Sequence, residues 1–267
     1  TYEDLMIEQN PPAPESVEAK PAATIILLRD GEQGLEVLVL EKASGKHFAA
    51  GAIVFPGGKV APEDITYAKS QGIVDEPFAT LKIAAVREMH EECAIMLARR
   101  PGAERVMIAD EVAECCADHP EAEILELVTS LSLELATEQL VRFAHWITPP
   151  YRPKRFDTHF FIAPAPEGQM EAKVDGYEIV DANWRRPGDM LEDVHAGRLK
   201  LVLPTMMNII KLSRRSNVAE ALEMADKETV VPVTPKRVQT EDGEELHIPD
   251  EAGYGMTTIP AEFLRSA

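Results

Sequence analysis

Residues 55–58 read Phe-Pro-Gly-Gly, and residues 87–95 read Arg-Glu-Met-His-Glu-Glu-Cys-Ala-Ile. In a helix, Glu88, Glu91 and Glu92 stand at i, i+3 and i+4, so their carboxylates project from one face. Like charges at this spacing repel each other, and a hard cation such as Mg²⁺, which prefers oxygen ligands, relieves the repulsion. The Gly-Gly pair allows a tight turn and a close approach of the backbone to a ligand. Together the two stretches predict a site for a metal-bound phosphate.

The glutamates also have a plainer interpretation, an exposed acidic helix face. In that case Arg87 and Glu91 form an ordinary i, i+4 salt bridge. We favour the metal site, because a Gly-rich turn lies upstream and an arginine immediately precedes the first glutamate. Cleavage of a diphosphate needs neutralised phosphate oxygens and an activated water, and carboxylates that hold Mg²⁺ meet both needs.

The two stretches resemble the signature of Nudix hydrolases, Gly-x5-Glu-x7-Arg-Glu-apolar-x-Glu-Glu-x-Gly-apolar. Its second half is matched by Arg87, Glu88, Met89, Glu91, Glu92 and Ile95. Two features depart from it. Residues 59–86 separate Gly58 from the arginine, a longer spacing than the signature has, and Ala94 stands where the signature ends in Gly.

An insertion at this place is a habit of the Nudix branch that includes a peroxisomal coenzyme A diphosphatase and its bacterial relatives. Further segments resemble that branch, namely Trp146-Ile147-Thr148-Pro149, Arg155-Phe156-Asp157-Thr158, Glu178 followed by Trp184, and Ile248-Pro249-Asp250 with Tyr254. The resemblance implies an α/β Nudix fold, in which a mixed β-sheet is sandwiched between helices. It also implies hydrolysis of a nucleoside diphosphate derivative with Mg²⁺ or Mn²⁺. Coenzyme A or acyl-coenzyme A is the first candidate substrate, and ADP-ribose or an NADH-type dinucleotide is the second. A domain that binds a nucleotide and regulates a partner without turnover is the third alternative.

The same resemblance assigns roles to individual residues. Glu88, Glu91, Glu92 and the carbonyl of Gly57 would be the metal ligands, and one of the three glutamates would also act as the base. Arg87 would orient the glutamates. Glu178 is a candidate extra ligand or base, with a surface carboxylate as the alternative.

Three further residues are candidates for binding substrate phosphates. Lys42 and His47 occupy positions where coenzyme A-cleaving relatives carry arginine, and both retain positive character without the forked guanidinium. Arg155 is the third candidate, with pairing to Asp157 as the plainer alternative.

Two positions within the signature stay open. The early glutamate corresponds to Asp64 when counted from Gly58, and to Ala79 when counted back from Arg87. The glycine that the signature has at Ala94 suits a backbone that leaves the helix, so alanine there implies either strain or a helix that continues through Ile95 to Ala98. We expect the helix to continue.

The chain divides into an extended N-terminal arm (1–21), a Nudix domain (22–226) and an extended C-terminal tail (227–267) that packs on the domain. Apolar runs at 24–28 and 35–40 flank a Gly-rich turn and predict a hairpin. Thr80 is a candidate cap of the signature helix. Residues 97–139 predict a helical insertion beside the site.

The composition limits the classes of partner. Lysine plus arginine number 27 against 46 aspartates plus glutamates, so the formal net charge is −19. This charge argues against a broad nucleic-acid-binding surface and against adhesion to anionic membranes. A phosphorylated small molecule remains compatible, because a bound metal and a few nearby cations dominate the field at a site.

The cysteines Cys93, Cys115 and Cys116 form no Cys-x-x-Cys pair, so a structural zinc site is not predicted. We see no signal peptide and no apolar run of the roughly 20 residues that a membrane helix needs. A reduced, cytoplasmic setting is therefore expected. We also expect a homodimer, in which the arm or the tail reaches a neighbour.

Overall fold

A computed structural model describes residues 17–43, 51–119, 122–169, 172, 174, 179–241 and 243–260. His47 and Glu178 lie outside the described residues, as do residues 1–16 of the arm. The strands are β1 (Lys20–Gly31), β2 (Gly34–Lys42), β3 (Ile53–Val54), β4 (Gly57–Lys59), β5 (Ala98–Arg99), β6 (Glu134–Leu135), β7 (Val141–Ile147), β8 (Phe156–Pro164), β9 (Ile179–Arg185), β10 (Pro232–Val233), β11 (Lys236–Thr240), β12 (Gly243–His247) and β13 (Thr258–Pro260). The helices are α1 (Pro62–Ser70), α2 (Ala79–Cys93), α3 (Ala109–Asp118), α4 (Ile124–Ser130), α5 (Pro187–His195), α6 (Leu203–Leu212) and α7 (Val218–Lys227).

The main sheet is mixed and has the strand order β10-β7-β8-β1-β2-β3, with β4 paired to β1 and β9 paired to β2. The predicted hairpin is present, because β1 and β2 pair antiparallel and close with Gly31 opposite Gly34. β1 also pairs with β8 in parallel along its length. β1 is therefore central, and its first half lies between β8 and β4.

Alternating residues of β1 enter two different cores, as the period of a strand requires. Ile25 and Leu27 pack in a core with α2, α4 and parts of α1 and α3. Ile26 and Leu28 pack on the other face with residues of α6, α7 and the C-terminal tail. The sheet thus lies between two helical layers, which confirms the expected fold class.

The segment from 97 to 139 is only partly helical. It contains α3 and α4 but also the strands β5 and β6, which pair as a small antiparallel sheet. Ile124 and Leu127 of α4 share a buried cluster with Ile83 and Met89 of α2. The insertion therefore packs on the helix that carries the signature.

The C-terminal tail packs on the second face of the sheet. β11, β12 and β13 form their own sheet, and the fully buried Ile259 joins the second core. The indole Nε1 of Trp146 donates a hydrogen bond of 2.8 Å to the hydroxyl of Tyr254. The helix α7, which immediately precedes the tail, was not predicted. None of the helices in the described ranges combines the length and the apolar character needed to cross a membrane.

Candidate active site

Helix α2 carries the three glutamates and begins earlier than the sequence predicts. Its N-cap is Phe78, which has a left-handed conformation (φ 62°) and makes no side-chain capping bond, so the prediction that Thr80 caps the helix is wrong. One face of α2 is buried in the first core through residues such as Ile83, Met89 and Cys93. The other face of α2, which carries the signature glutamates, is therefore available to contact the turn at β4.

The helix ends at Ala94, so the prediction that it continues to Ala98 is also wrong. Ala94 is the C-cap in the left-handed region (φ 56°, ψ 20°), and its amide donates to the carbonyl of His90 at 2.8 Å. The next residues, Ile95 and Met96, are buried in the core. Their burial overrides the helical preference of alanine. The conformation costs roughly 1–2 kcal/mol for a residue with a Cβ, which explains why the signature has glycine here.

Two glycines allow the carboxylates of α2 to approach β4. A Cβ at Gly58 would lie 2.3 Å from Oε1 of Glu88, so a larger residue there would displace the Glu88 carboxylate from this position. The amide of Gly57 donates a 2.9 Å hydrogen bond to Oε2 of Glu92. The sequence-predicted pairing of a Gly-rich turn with an acidic helix is therefore seen directly. The contacts of Gly57 involve its amide, so its carbonyl as a metal ligand stays a prediction.

Arg87 is the centre of the charge network and is 4% exposed. Its Nη1 donates to Oε1 of Glu88 at 3.0 Å and to Oε2 of Glu91 at 2.9 Å. Its Nη2 also donates to the carbonyl of Lys59 at 3.0 Å. The Arg87–Glu91 salt bridge of the plainer interpretation thus exists, but as one part of a larger array that orients two signature glutamates.

The fourth partner of Arg87 is Asp64 of α1, which is fully buried. Nε of Arg87 donates to Oδ1 at 2.8 Å, and Nη2 donates to Oδ2 at 3.0 Å, which makes the pair bidentate. Burial opposes the charge of Arg87, but the hydrogen bonds and charge of Asp64, together with Glu88 and Glu91, outweigh it and raise the arginine pKa.

This contact favours Asp64 as the equivalent of the early signature glutamate. Asp64 takes the position counted from Gly58, whereas Ala79 is only the first residue of α2. The extra residues of the insertion therefore follow Asp64. In the sequence, the spacing from Gly58 points to Asp64, whereas the spacing from Arg87 points to Ala79.

The donor set fits a hard divalent cation. The carboxylates of Glu88 and Glu92 reach the β4 turn, and Glu91 shares Nη1 of Arg87 with Glu88. Oxygen donors of this kind are what Mg²⁺ and Mn²⁺ prefer. Burial raises the pKa of Glu91, and the charge of Glu88 adds to this, while Arg87 acts in the opposite direction. A carboxyl whose pKa is raised is suited to general-base chemistry. Which of the three glutamates acts as the base stays a prediction.

The candidate phosphate-binding residues lie at two other places. Lys42 ends β2 opposite Ile179, at an irregularity in the β2–β9 pairing. Arg155 lies just before β8 and donates through Nε to the carbonyl of Thr148 and through Nη1 to that of Val17. It does not pair with Asp157, which contacts His145 instead. Substrate binding by Lys42 and Arg155 stays a prediction.

No family model matches the chain. It is 28% identical over 198 residues to nudix hydrolase 7 of Caenorhabditis elegans, an alignment that covers 72% of this chain and 60% of that protein. The chain thus spans less than two thirds of the length of that curated relative.

Among solved structures, the chain is similar to a NUDIX hydrolase from Alicyclobacillus acidocaldarius. The TM-score is 0.65 with 28% sequence identity, and the match covers 78% of this chain and 96% of that chain. The match agrees with the mixed sheet between helices. In sequence and in fold, the chain is therefore similar to Nudix hydrolases.

Proposed function

We propose that this chain hydrolyses the diphosphate linkage of a nucleoside diphosphate derivative with the help of Mg²⁺ or Mn²⁺. The observation that carries the proposal is the Arg87-centred array, which holds Glu88 and Glu91 from one side while Asp64 anchors the arginine from the other. If the glutamates were only an exposed acidic helix face, a buried guanidinium would not be needed to hold their carboxylates in place.

In this proposal Glu88, Glu91 and Glu92 hold the cation, which when bound supplies charge neutralisation to the diphosphate oxygens and acidity to a ligand water. Arg87 keeps the carboxylates of Glu88 and Glu91 in place through one nitrogen, Nη1. Glu91 is our candidate to accept a proton from the attacking water. The water oxygen forms the new bond to phosphorus, the bridging P–O bond breaks, and two phosphate-bearing products result.

Coenzyme A or acyl-coenzyme A is our first candidate substrate. The support is the insertion after Asp64 and the cation Lys42 at the end of β2, where coenzyme A-cleaving relatives carry arginine. ADP-ribose or an NADH-type dinucleotide is the alternative. A regulatory domain without turnover is less well supported, because a protein that only binds nucleotide does not need the complete set of signature carboxylates.

The test is a panel of coenzyme A, acyl-coenzyme A, ADP-ribose and NADH, each incubated with the protein and Mg²⁺ and followed by mass analysis of the products. We expect two phosphate-bearing fragments from at least one compound and none without a divalent cation. Binding of a compound without cleavage at any metal concentration would favour the regulatory alternative.

We also propose a cellular compartment and an oligomeric state for the protein. All three cysteines are free thiols, and Cys93 and Cys115 are buried, which suits a reducing compartment such as the cytoplasm. The homodimer rests only on the arm and tail as possible contacts. Sedimentation of the purified protein measures the assembly directly.

A further inference from the structure

A cluster of two histidines and an aspartate lies away from the glutamates. Asp157 and His159 are two residues apart on β8, so they point to the same face of the sheet. His145 of β7 lies directly opposite His159 in the antiparallel pairing. The three side chains therefore form a triangle across two strands, which no pattern in the sequence indicates.

A β-bulge helps to create the cluster. The register of β7 against β8 shifts between Arg142 and Ala144, so one extra residue lies on β7. Phe143 and Ala144 both enter the second core as a result. His145 then returns to the face of α2, on the same side as His159.

The donor atoms converge on one point. Nε2 of His145 lies 2.5 Å from Oδ1 of Asp157, and Nε2 of His159 lies 3.8 Å from the same oxygen. One ligand atom from each of the three residues falls within 4.8 Å of the others. The two imidazole rings are stacked, with centroids 3.9 Å apart and an interplanar angle of 20°.

His159 is incompletely satisfied by its surroundings. It is 8% exposed, and its Nδ1 has no hydrogen-bond partner among the described residues. Its Nε2 is too far from Asp157 for a normal hydrogen bond. The unpartnered atom is Nδ1, whereas Nε2 is the ring nitrogen nearest to Asp157 and the one placed to bind an ion beside it.

We propose that His145, Asp157 and His159 form a second metal site, which binds a divalent ion of the Zn²⁺ class. Two imidazoles and one carboxylate suit Zn²⁺ and related transition metals, whereas Mg²⁺ selects oxygen donors. The side chain of Asp157 is 38% exposed, so solvent reaches the site and fills the open coordination positions. For both Nε2 atoms to bind one ion, the stacked rings rotate apart slightly.

The site is separate from the glutamates. His159 pairs with Ala23, which pairs on its other side with Gly58, so two strand spacings, about 10 Å, separate the backbones. Phe78, the N-cap of α2, has its ring 5.4 Å from that of His159. The guanidinium of Arg142 lies 4.5 Å from the same phenyl ring. The positive charge of Arg142 repels a metal ion at this site and so limits its affinity. The negative charge of Asp157 acts in the opposite direction.

The test is titration of the metal-free protein with Zn²⁺ alone, followed by calorimetry and by the Co²⁺ absorption spectrum. It is done in the double variant Glu91→Gln, Glu92→Gln, which weakens the glutamate site, so the outcome does not depend on diphosphate hydrolysis. We expect one Zn²⁺ to bind this variant as tightly as wild type, and its melting temperature to rise with Zn²⁺. His145→Gln, His159→Gln and Asp157→Asn should each weaken binding at least about tenfold, since even residues behind the ligands matter by 10- to 100-fold.

The matched control is His247→Gln. Nε2 of His247 lies 3.0 Å from Oε2 of Glu245 without a second histidine, so its loss should leave Zn²⁺ affinity unchanged. Circular dichroism confirms that each variant is folded. Loss of Zn²⁺ binding in the Glu91→Gln, Glu92→Gln background, or wild-type Zn²⁺ affinity in all three cluster variants, would overturn the proposal.

Discussion

Both carboxylate oxygens of Asp64 accept hydrogen bonds from the guanidinium of Arg87, at 2.8 and 3.0 Å. The two residues come from different helices, α1 and α2, and both are buried. This contact joins the two ends of the segment between Asp64 and Arg87, which contains the extra residues within the signature. It also fixes the arginine whose remaining nitrogen, Nη1, holds Glu88 and Glu91.

The first prediction concerns this pair. Asp64→Asn keeps the shape of the side chain but leaves Arg87 as a buried charge without its main counter-charge. We expect a loss of about 3 kcal/mol in the free energy of unfolding, since breaking a buried ion pair is strongly destabilising. Urea denaturation measures it.

The control for this substitution is Asp189→Asn. Asp189 also forms a bidentate pair, with Arg186, but at the surface. Its loss should cost less than about 1 kcal/mol. Equal effects of the two substitutions would show that the burial of Asp64 does not strengthen its role.

The second prediction concerns the end of α2. Ala94→Gly removes the Cβ from a left-handed residue (φ 56°). We expect stabilisation by about 0.5–1 kcal/mol, because relief of the steric cost exceeds the entropy that glycine adds to the unfolded chain. The same substitution at Ala113, an exposed residue within α3, should destabilise by a similar amount. Thermal unfolding compares the two, and destabilisation at both positions would count against the left-handed cap.

The third prediction concerns pH and the C-terminal tail. Burial raises the pKa of Tyr254, and the charge of Glu228 acts in the same direction, against a smaller effect of the hydrogen bond from Trp146. Above the unfolded-state pKa of about 10, the unfolded chain has lost this proton and the folded chain has kept it. The unfolded state then binds fewer protons, so stability falls as pH rises.

Tyr254→Phe tests this. The hydroxyl also donates to Oδ1 of Asn208 at 3.0 Å, and Nζ of Lys211 lies 5.8 Å from the ring. At neutral pH the variant should be less stable by about 2 kcal/mol, because hydrogen bonds are lost and buried partners are left unpaired. Between pH 9 and 11 the difference from wild type should shrink, as measured by urea denaturation at each pH. A difference that stays constant would contradict the raised pKa.

The fourth prediction concerns substrate. If the substrate is coenzyme A, its 3′-phosphate needs a cation, and Lys42→Ala should abolish a preference of wild type for coenzyme A over 3′-dephospho-coenzyme A. A partly buried contact of this kind contributes about 1–3 kcal/mol, equivalent to roughly 5- to 150-fold in kcat/KM. Lys69→Ala, at an exposed lysine of α1, is the control. Equal rates on both compounds in wild type would move the proposal to ADP-ribose or dinucleotides.

Some of this architecture could be predicted from local patterns, and some could not. The β1–β2 hairpin and the acidic face of α2 are periodic and lie within short stretches of sequence. The role of Asp64 was ambiguous, because the insertion changes the spacing to Arg87. The left-handed conformation of Ala94 results from burial of the residues that follow it. Local helix propensity does not predict this burial. The cluster at His145 depends on strand register and a bulge, neither of which the sequence shows.

The central claim is that the glutamate face of α2 holds the cation that diphosphate hydrolysis requires. The most direct measurement is the rate of product formation against Mg²⁺ concentration, on the substrate that the panel identifies, for wild type, Glu91→Gln, Glu92→Gln and the control Glu126→Gln. Glu126 is an exposed residue of α4. We predict that wild type and Glu126→Gln saturate with Mg²⁺, while the other two fall at least about 100-fold and stay folded, because charge repulsion is relieved. Unchanged turnover in both Glu91→Gln and Glu92→Gln at saturating Mg²⁺ would contradict the claim.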